Sequence, residues 1–316
     1  MKGNKKTVYL VDGSSYIHRA YHAIKNLSNS QGFPTNAVFG FTNMLLKLCS
    51  DGAPEYLAVV LDARGPTFRH KIYQAYKANR PPMAEDLRVQ VPVIKRILQA
   101  MNLKVIEREG FEADDIIGTL ARLCEAQGFD VVMVTGDKDF RQLVTPATSM
   151  LDTMKNAITD YTTLKEAFQL EPEKLVEVMA LSGDTSDNVP GVPGVGEKTA
   201  VGLIRTFGSL EGLYGRLERV KQKRLRENLQ RFKDDAFLSR DLVRIHRFVP
   251  LEEGGGSLRV GEPNREALDR LFRELEFKSL RERFAPGRLG EAEAHTRPSP
   301  PVRVDRHEKS VGKEMG

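Results

Sequence analysis

The chain has 316 residues, 40% of them hydrophobic and 29% charged, with a formal net charge of +5. That length supports one large domain or two small ones, and the balance is ordinary for a soluble globular protein. No apolar run approaches the roughly 20 residues of a membrane span, so no membrane partner is expected.

The start, "MKGNKKTVYLVDG", carries basic residues but only a short apolar stretch before Asp12. It reads as a first strand, "TVYLVD" (7–12), and lacks the longer apolar region of a signal peptide. Helix spacing follows at 36–49. "YLAVVLD" (56–62) is a second strand, and 88–101 again shows helix spacing. At 113–124 Ala113, Ile116, Ile117, Leu120 and Cys124 share one side of a helix, and "FDVVMVTGD" (129–137) is a third strand. Short, continuous, Val-rich runs suit a parallel sheet covered on both faces. Their alternation with helices predicts an α/β fold with right-handed crossovers. From about residue 160 the strand signals stop. Helical patterns at 162–169, 172–182 and 198–206 surround "GVPGVGEKTA" (191–200) and continue to 284, broken by "EEGGGS" (252–257). The expected division is an α/β unit over 1–160 and a helical region over 161–285, sharing one core. The stretch 286–316 has four prolines and few large apolar residues, a composition that predicts disorder. Cys49 and Cys124 lie far apart with no cysteine or histidine at metal spacing, which fits a reducing cytoplasm.

Each predicted strand ends in an aspartate: Asp12, Asp62 and Asp137. In open α/β sheets the active crevice lies at the carboxyl ends of the strands, so these acids should converge. Further acids stand at Glu112, Asp114 and Asp115 in "FEADDIIGTLA", at Asp139 in "TGDKDF", and at Asp184 and Asp187 in "LSGDTSDNVPG". Alone, each group reads as a helix cap or a turn. Gly118, one turn below Asp114, leaves that carboxylate uncrowded. Asp137 and Asp139, two apart, would face the same way in extended backbone. Together, several ionised carboxylates in one crevice must protonate or bind cations. An all-oxygen set suits a hard ion such as Mg2+ or Mn2+, and two such ions make a site for in-line displacement at phosphorus.

The positive charge is clustered too. "RGPTFRHKIYQAYKANR" (64–80) holds five Lys/Arg and no acid, and 216–233 holds eight Lys/Arg against Glu218 and Glu227. Two such one-sided runs point to a nucleic-acid backbone. In the first, Arg69, Lys71, Lys77 and Arg80 interleave with Phe68, Tyr73 and Tyr76, offering cations to phosphates and ring faces to bases. Gly191, Gly194 and Gly196 would let the backbone approach a phosphate strand beside Lys198 and Thr199.

The segments "LVDGSSYIHRAYHA" (10–23), "YKANRPPMAEDLRVQ" (76–90), "GFEADDIIGTLA" (110–121), "VTGDKDFRQLV" (134–144) and "LSGDTSDNVPGVPGVGEKTA" (181–200) closely resemble the 5′-nuclease domain of bacterial DNA polymerase I. That domain belongs to the 5′→3′ exonuclease and flap endonuclease family, and the resemblance spans roughly 6–285. It implies a PIN-like α/β fold with a helical arch around 66–90 and a helix–hairpin–helix (helix–three-turn–helix) around 186–206. It implies a first metal cluster of Asp12, Asp62, Glu112 and Asp114. Asp137, Asp139 and Asp184 would form a second, with Asp115 and Asp187 as further acids. Lys77, Arg80 and Arg19 would hold the scissile phosphate, with Tyr76 and Arg69 as DNA contacts. Gly191, Gly194, Gly196, Lys198 and Thr199 would grip duplex, with K+ at the turn. The implied activity is two-metal hydrolysis at 5′ flaps, nicked and gapped duplex and RNA-primed ends, in Okazaki fragment processing and DNA repair. The implied setting is a monomer at the bacterial nucleoid, apparently free-standing, with a separate DNA polymerase as a partner. A catalytically idle junction binder would lack central acids, and an RNA-directed nuclease would lack the 181–200 segment.

Overall fold

In the computed structural model, residues 5–284 and 302–303 are described. The sheet runs β3-β2-β1-β4-β5-β6-β7. Its strands are β1 (Thr7–Asp12), β2 (Tyr56–Val60), β3 (Lys104–Ile106), β4 (Asp130–Val134), β5 (Thr148–Asp152), β6 (Ala157–Thr159) and β7 (Val302–Arg303). All neighbouring strands are parallel except β5 and β6, so the sheet is mixed but mainly parallel. The order reverses beside β1: the chain steps outward to β2 and β3, then returns to place β4 on the other side. Ligand crevices form at such a switch point, outside the carboxyl ends of the strands.

Alternation along the strands feeds two cores. On β2, Tyr56, Ala58 and Val60 face one cluster while Leu57 and Val59, with Leu61 just beyond the strand, face the other. The second cluster is covered by α1 (Gly13–Ala23), α2 (Asn36–Gly52) and α5 (Val91–Ala100). Between β2 and α5 the expected arch contains only α3 (Phe68–Ile72) and α4 (Glu85–Arg88), joined by turns. Pro81 and Pro82 remove backbone donors there and hold the preceding residues extended, so no long helix spans the stretch.

The first cluster is covered by α6 (Ala113–Ala126) and extends without a break into the helical region. There it packs α7 (Tyr161–Phe168), α8 (Leu175–Ser182), α9 (Glu197–Phe207), α10 (Leu210–Tyr214), α11 (Lys223–Arg231) and α12 (Lys233–Val243). The last helices, α13 (Arg265–Glu274) and α14 (Lys278–Phe284), return to the opposite face beside α5. The residues expected as one helical region are therefore divided between the two faces. The predicted disordered tail lies outside the described residues, apart from β7. Among the described residues no helix is long and apolar enough to cross a membrane.

Between α8 and α9 the chain forms a tight closed loop. Asp184 N–H donates to Val189 O at 3.0 Å and Val189 N–H to Asp184 O at 2.7 Å. Gly183 and Gly191, at φ +69° and +62°, lie backbone against backbone at its neck. A Cβ on Gly183 would stand 2.7 Å from Val189 O. Gly202, inside α9, has nothing within 4 Å of the position of its missing Cβ. Gly183→Ala should therefore destabilise by about 2 kcal/mol or more, because it adds a clash to a left-handed backbone. Gly202→Ala should stabilise by roughly 0.5–1 kcal/mol through helix propensity. Urea denaturation of both variants checks the pair of signs.

Candidate active site

The acids meet at the switch point because each is fixed to the end of a core element. Asp12 closes β1 and caps α1, its Oδ1 accepting from Ser15 N–H at 3.0 Å. Its Oδ2 accepts from Thr135 Oγ1 at 2.9 Å, a residue at the end of neighbouring β4. The same hydroxyl oxygen accepts from Asp137 N–H at 3.1 Å, so one threonine joins the ends of two strands. Asp62, beyond β2, donates its N–H to Ser14 Oγ and accepts from Ala113 N–H at 2.8 Å, the first residue of α6. Glu112 caps that helix and Asp114 stands in its first turn. Asp137 caps a 3-10 helix over Lys138–Leu143 that carries Asp139. Asp137 itself is extended, but Asp139 lies inside the 3-10 helix, so the two do not share one extended stretch. Asp184 and Asp187 belong to the closed loop. Gly118 has a packing role: a Cβ there would lie 2.9 Å from Ile245 Cγ2.

The carboxylates act on one another. Burial pushes Asp12 up to about 6, helped by Asp62 and Asp137 and opposed by its hydrogen bonds. Burial raises Asp114 well above the usual range, reinforced by Asp12, Asp137, Asp62 and Glu112. Asp139 is pushed up to about 7 by burial, then by Asp137 and Asp184. Asp184 goes the other way: burial works against its charge, but the hydroxyl and N–H of Ser186 outweigh it. Asp12, Asp62, Glu112, Asp114, Asp137, Asp139, Asp184 and Asp187 thus share one electrostatic site.

Asp115 does not belong to that site. It is fully buried and grips Arg69, itself 2% exposed. Arg69 Nη1 donates to Asp115 Oδ2 at 2.7 Å and Nη2 to Oδ1 at 2.8 Å. His246 N–H and Glu112 N–H take the remaining acceptor positions of Asp115. Arg69 further donates to Leu242 O and Arg244 O, and its Nη1 lies 3.3 Å from Glu112 Oε2. A carboxylate offers about four lone-pair sites and a guanidinium five N–H groups, so both partners are saturated. The expectations of Asp115 as a metal-site acid and of Arg69 as a DNA contact are therefore corrected: neither has a free atom to offer. Tyr76 is corrected too. Its ring is buried with Val176, Val189, Leu242 and Val243, and its hydroxyl donates to Glu112 at 3.0 Å, so no base can stack on it.

The remaining cations face the acids. Lys77 Nζ lies 2.6 Å from Glu112 Oε1 and 3.6 Å from Asp187 Oδ2, while Arg80 pairs with Asp187. Arg19 lies 3.6 Å from Asp152, and its buried Nη1 has no hydrogen-bond partner. Gly194 and Gly196 are exposed at the turn before α9, and Lys198 and Thr199 are exposed in its first turn, whereas Gly191 is buried at the loop neck. Sequence reasoning missed Thr135, Ser14 and Ser186, which orient acids, and Asn79 and Asn188, which tie 75–79 to the 184–189 loop. Hydroxyls beside strand-end acids were the available signal.

The acids fit a cation site on two counts: their charges crowd one crevice, and buried Asp139 Oδ1 has no hydrogen-bond partner. Among the described residues no three of His, Cys, Asp and Glu are grouped closely enough to enclose an ion as they stand. Side-chain rotation would have to complete any cage.

Asp12 and Asp139 titrate higher in the folded chain than the value of about 4 expected unfolded. The folded state therefore binds extra protons, so these groups add stability as pH falls from about 7 towards 4 and lose it as pH rises. In EDTA, Asp139→Asn should be more stable than the parent at about pH 7.5, with the advantage shrinking by about pH 5.5. Thermal denaturation at both pH values reads it, and an advantage that grew on acidification would refute it. Asp115→Ala should behave oppositely, destabilising by about 3–5 kcal/mol because it strands the buried Arg69 charge. Chemical denaturation of that variant gives the number directly.

Comparisons with known proteins give the family and the fold. The family model described as "5'-3' exonuclease, N-terminal resolvase-like domain" matches residues 7–169, and "5'-3' exonuclease, C-terminal SAM fold" matches 170–266. A 5'-3' exonuclease of Aquifex aeolicus is 39% identical over 275 residues, which cover 87% of this chain and 94% of that protein. DNA polymerase I of Pseudomonas aeruginosa is 47% identical over 296 residues, 90% of this chain but only 32% of the polymerase. Among solved structures, the phage T5 D15 protein co-crystallized with metal ions has a TM-score of 0.66 at 20% identity, covering 86% of this chain and 99% of that one. The catalytic core of Rad2 in complex with DNA substrate has a TM-score of 0.62 at 17% identity, covering 86% and 88%. Both share the fold. With the two domain models matched consecutively and the Aquifex protein covered almost whole, the chain belongs to the 5′-3′ exonuclease family.

Proposed function

We propose that the chain is a structure-specific 5′ nuclease that hydrolyses phosphodiester bonds at 5′ flaps, nicks, gaps and RNA-primed ends by two-metal-ion catalysis. The observation that carries this reading is the crevice of mutually charged acids at the sheet's switch point, faced by Lys77 and Arg80. Asp12, Asp62, Glu112 and Asp114 would hold one Mg2+ or Mn2+, and Asp137, Asp139, Asp184 and Asp187 the other. When bound, such ions supply an acidified water and charge stabilisation on the attacking and leaving oxygens.

The chain's own residues do the rest. Lys77 and Arg80, on crevice acids, and Arg19, beside Asp152, would hold the scissile phosphate in register. Nothing in the arrangement calls for a covalent intermediate. The exposed turn with Gly194, Gly196, Lys198 and Thr199 would grip duplex backbone, with K+ at its carbonyls. Asn228 on α11 donates to Pro193 O of this turn at 2.9 Å. That contact brings the exposed Lys221, Lys223 and Arg224 alongside the turn and widens the grip. Removing 5′ ends and RNA primers suits Okazaki fragment processing and DNA repair at the bacterial nucleoid, as a monomer working beside a DNA polymerase.

The direct test is a set of flap, nick and RNA-primed duplexes, labelled at the 5′ end and internally, incubated with Mg2+ or with EDTA. Mg2+-dependent release from the 5′ side is expected; cleavage in EDTA would overturn the reading. Grip and chemistry should also separate. Lys198→Ala should flatten the log–log salt dependence of duplex binding by about one unit, for any sequence, yet cleave near the parent rate at saturation. Asp184→Asn should bind near normally while its single-turnover rate collapses. Salt-titrated affinities and saturating single-turnover rates on both variants decide it. Lost turnover in Lys198→Ala with an unchanged salt slope would end this division of labour.

A further inference from the structure

Lys77 does more than face the crevice. Its ammonium joins two acids from different parts of the fold: Glu112 Oε1, at the start of α6, at 2.6 Å, and Asp187 Oδ2, in the closed loop, at 3.6 Å. The other oxygen of each acid is also taken. Glu112 Oε2 accepts from Tyr76 at 3.0 Å, and Asp187 Oδ1 pairs with Arg80. Two carboxylates assigned above to ion binding are thus neutralised by the chain's own cations. Burial works against the Lys77 charge, but Glu112 and Asp187 outweigh it and hold the ammonium charged.

Two features make this contact exchangeable. Lys77 sits at φ +56°, a left-handed backbone that residues with a side chain rarely adopt. It is held there by its N–H to Asp187 O at 2.9 Å and by Arg80 N–H to its own carbonyl at 3.0 Å. Its side chain is 21% exposed on a flexible stem, while the neighbouring guanidinium of Arg69 is 2% exposed and saturated. Arg69 cannot leave the crevice; Lys77 can.

We infer that Lys77 is an internal counter-cation that holds Glu112 and Asp187 together in the ion-free protein. It gives way when divalent ions take those carboxylates, one on the Glu112 side and one on the Asp187 side, which frees the ammonium for a substrate phosphate. This rests on the reading of the acids as the ion site. Lysine and ion then compete, and by linkage each weakens the other's hold: ion binding must expose Lys77, and removing Lys77 must tighten ion binding.

The substrate-free protein can be titrated with Mn2+ by calorimetry. Lys77→Ala should bind Mn2+ about tenfold tighter, the scale of one charge-assisted hydrogen bond exchanged. Lys77→Arg should stay near the parent, and so should Lys198→Ala, a charge loss at an exposed lysine that pairs with neither acid. In parallel, amine acetylation read by mass spectrometry should find Lys77 protected in EDTA and reactive in Mn2+, with Lys198 reactive in both. Unchanged or weaker Mn2+ binding by Lys77→Ala, or unchanged Lys77 labelling, overturns the exchange. The two readings fail separately. If Lys77→Ala loses cleavage with ion affinity unaltered, the phosphate role survives without the exchange. If it binds Mn2+ more tightly and cleaves undiminished, the exchange survives without the phosphate role. Absence of any Mn2+ binding by the parent sinks the ion site and the exchange with it.

Discussion

A guanidinium and a carboxylate buried together are tolerable only when every donor and acceptor is used, and Arg69 and Asp115 meet that condition. Removing either charge from water costs several kcal/mol, which the other must offset. The pair is therefore a strict geometric constraint. It fixes α3 to the first turn of α6, to the end of α12 and to the residues that follow it. Asp115 also closes the capping box with Glu112, so the pair sets where Glu112 stands. Glu112 in turn receives Tyr76 and Lys77. The foot of the basic stretch is locked by buried chemistry; beyond Tyr76, Lys77 bridges Glu112 and Asp187 and the exposed Arg80 pairs with Asp187.

The crevice carries the opposite kind of electrostatics. Asp12, Asp114 and Asp139 are raised by burial and by neighbouring carboxylates, so the fold holds charges that would separate if the backbone let them. It does not, because each acid is attached to an element whose other residues are in the core. Leu10 and Val11 beside Asp12, and Ile116 and Ile117 beyond Asp114, are all 0% exposed. Stability spent on crowding like charges is typical of sites kept for chemistry. The same crowding gives a cation with many oxygen ligands its selective advantage.

How much of this was legible followed from physical rules of unequal reach. The strands β1, β2 and β4 were visible because strands buried on both faces read as continuous apolar runs. The strands β3 and β6 were not, being three residues long, nor was β5, which carries polar residues such as Thr148, Ser149 and Asp152. The acid crevice followed from topology: strands that end in aspartate and pair in parallel must present those aspartates at one edge. The basic stretch was sorted less well. Composition cannot distinguish a cation that faces solvent from one that faces a buried acid, and so does not show that Arg69 and Tyr76, expected as DNA contacts, are buried. The corrective signal was present in Glu112-x-x-Asp115, since an acid three residues after the cap turns back on its own helix. That spacing uses up Asp115 locally.

The neck of the 184–189 loop ties the two proposed tasks into one rigid piece. Gly183 and Gly191 touch through bare backbone, and Gly191 N–H donates to buried Ser239 on α12 at 2.9 Å. Asp184 therefore stands at a fixed offset from the turn that begins at Gly191. Val192 N–H donates to Leu181 O at 2.8 Å, which holds the turn against the end of α8. A hinge at this point would let a gripped duplex slide relative to the acids, and misplacement by about 1 Å can cost roughly a hundredfold in rate. Two glycines in contact leave no room for a hinge. The closed loop thus acts as a spacer of fixed length, and on this reading the position of cleavage is set by backbone packing at 183–191 as much as by any side chain that touches DNA.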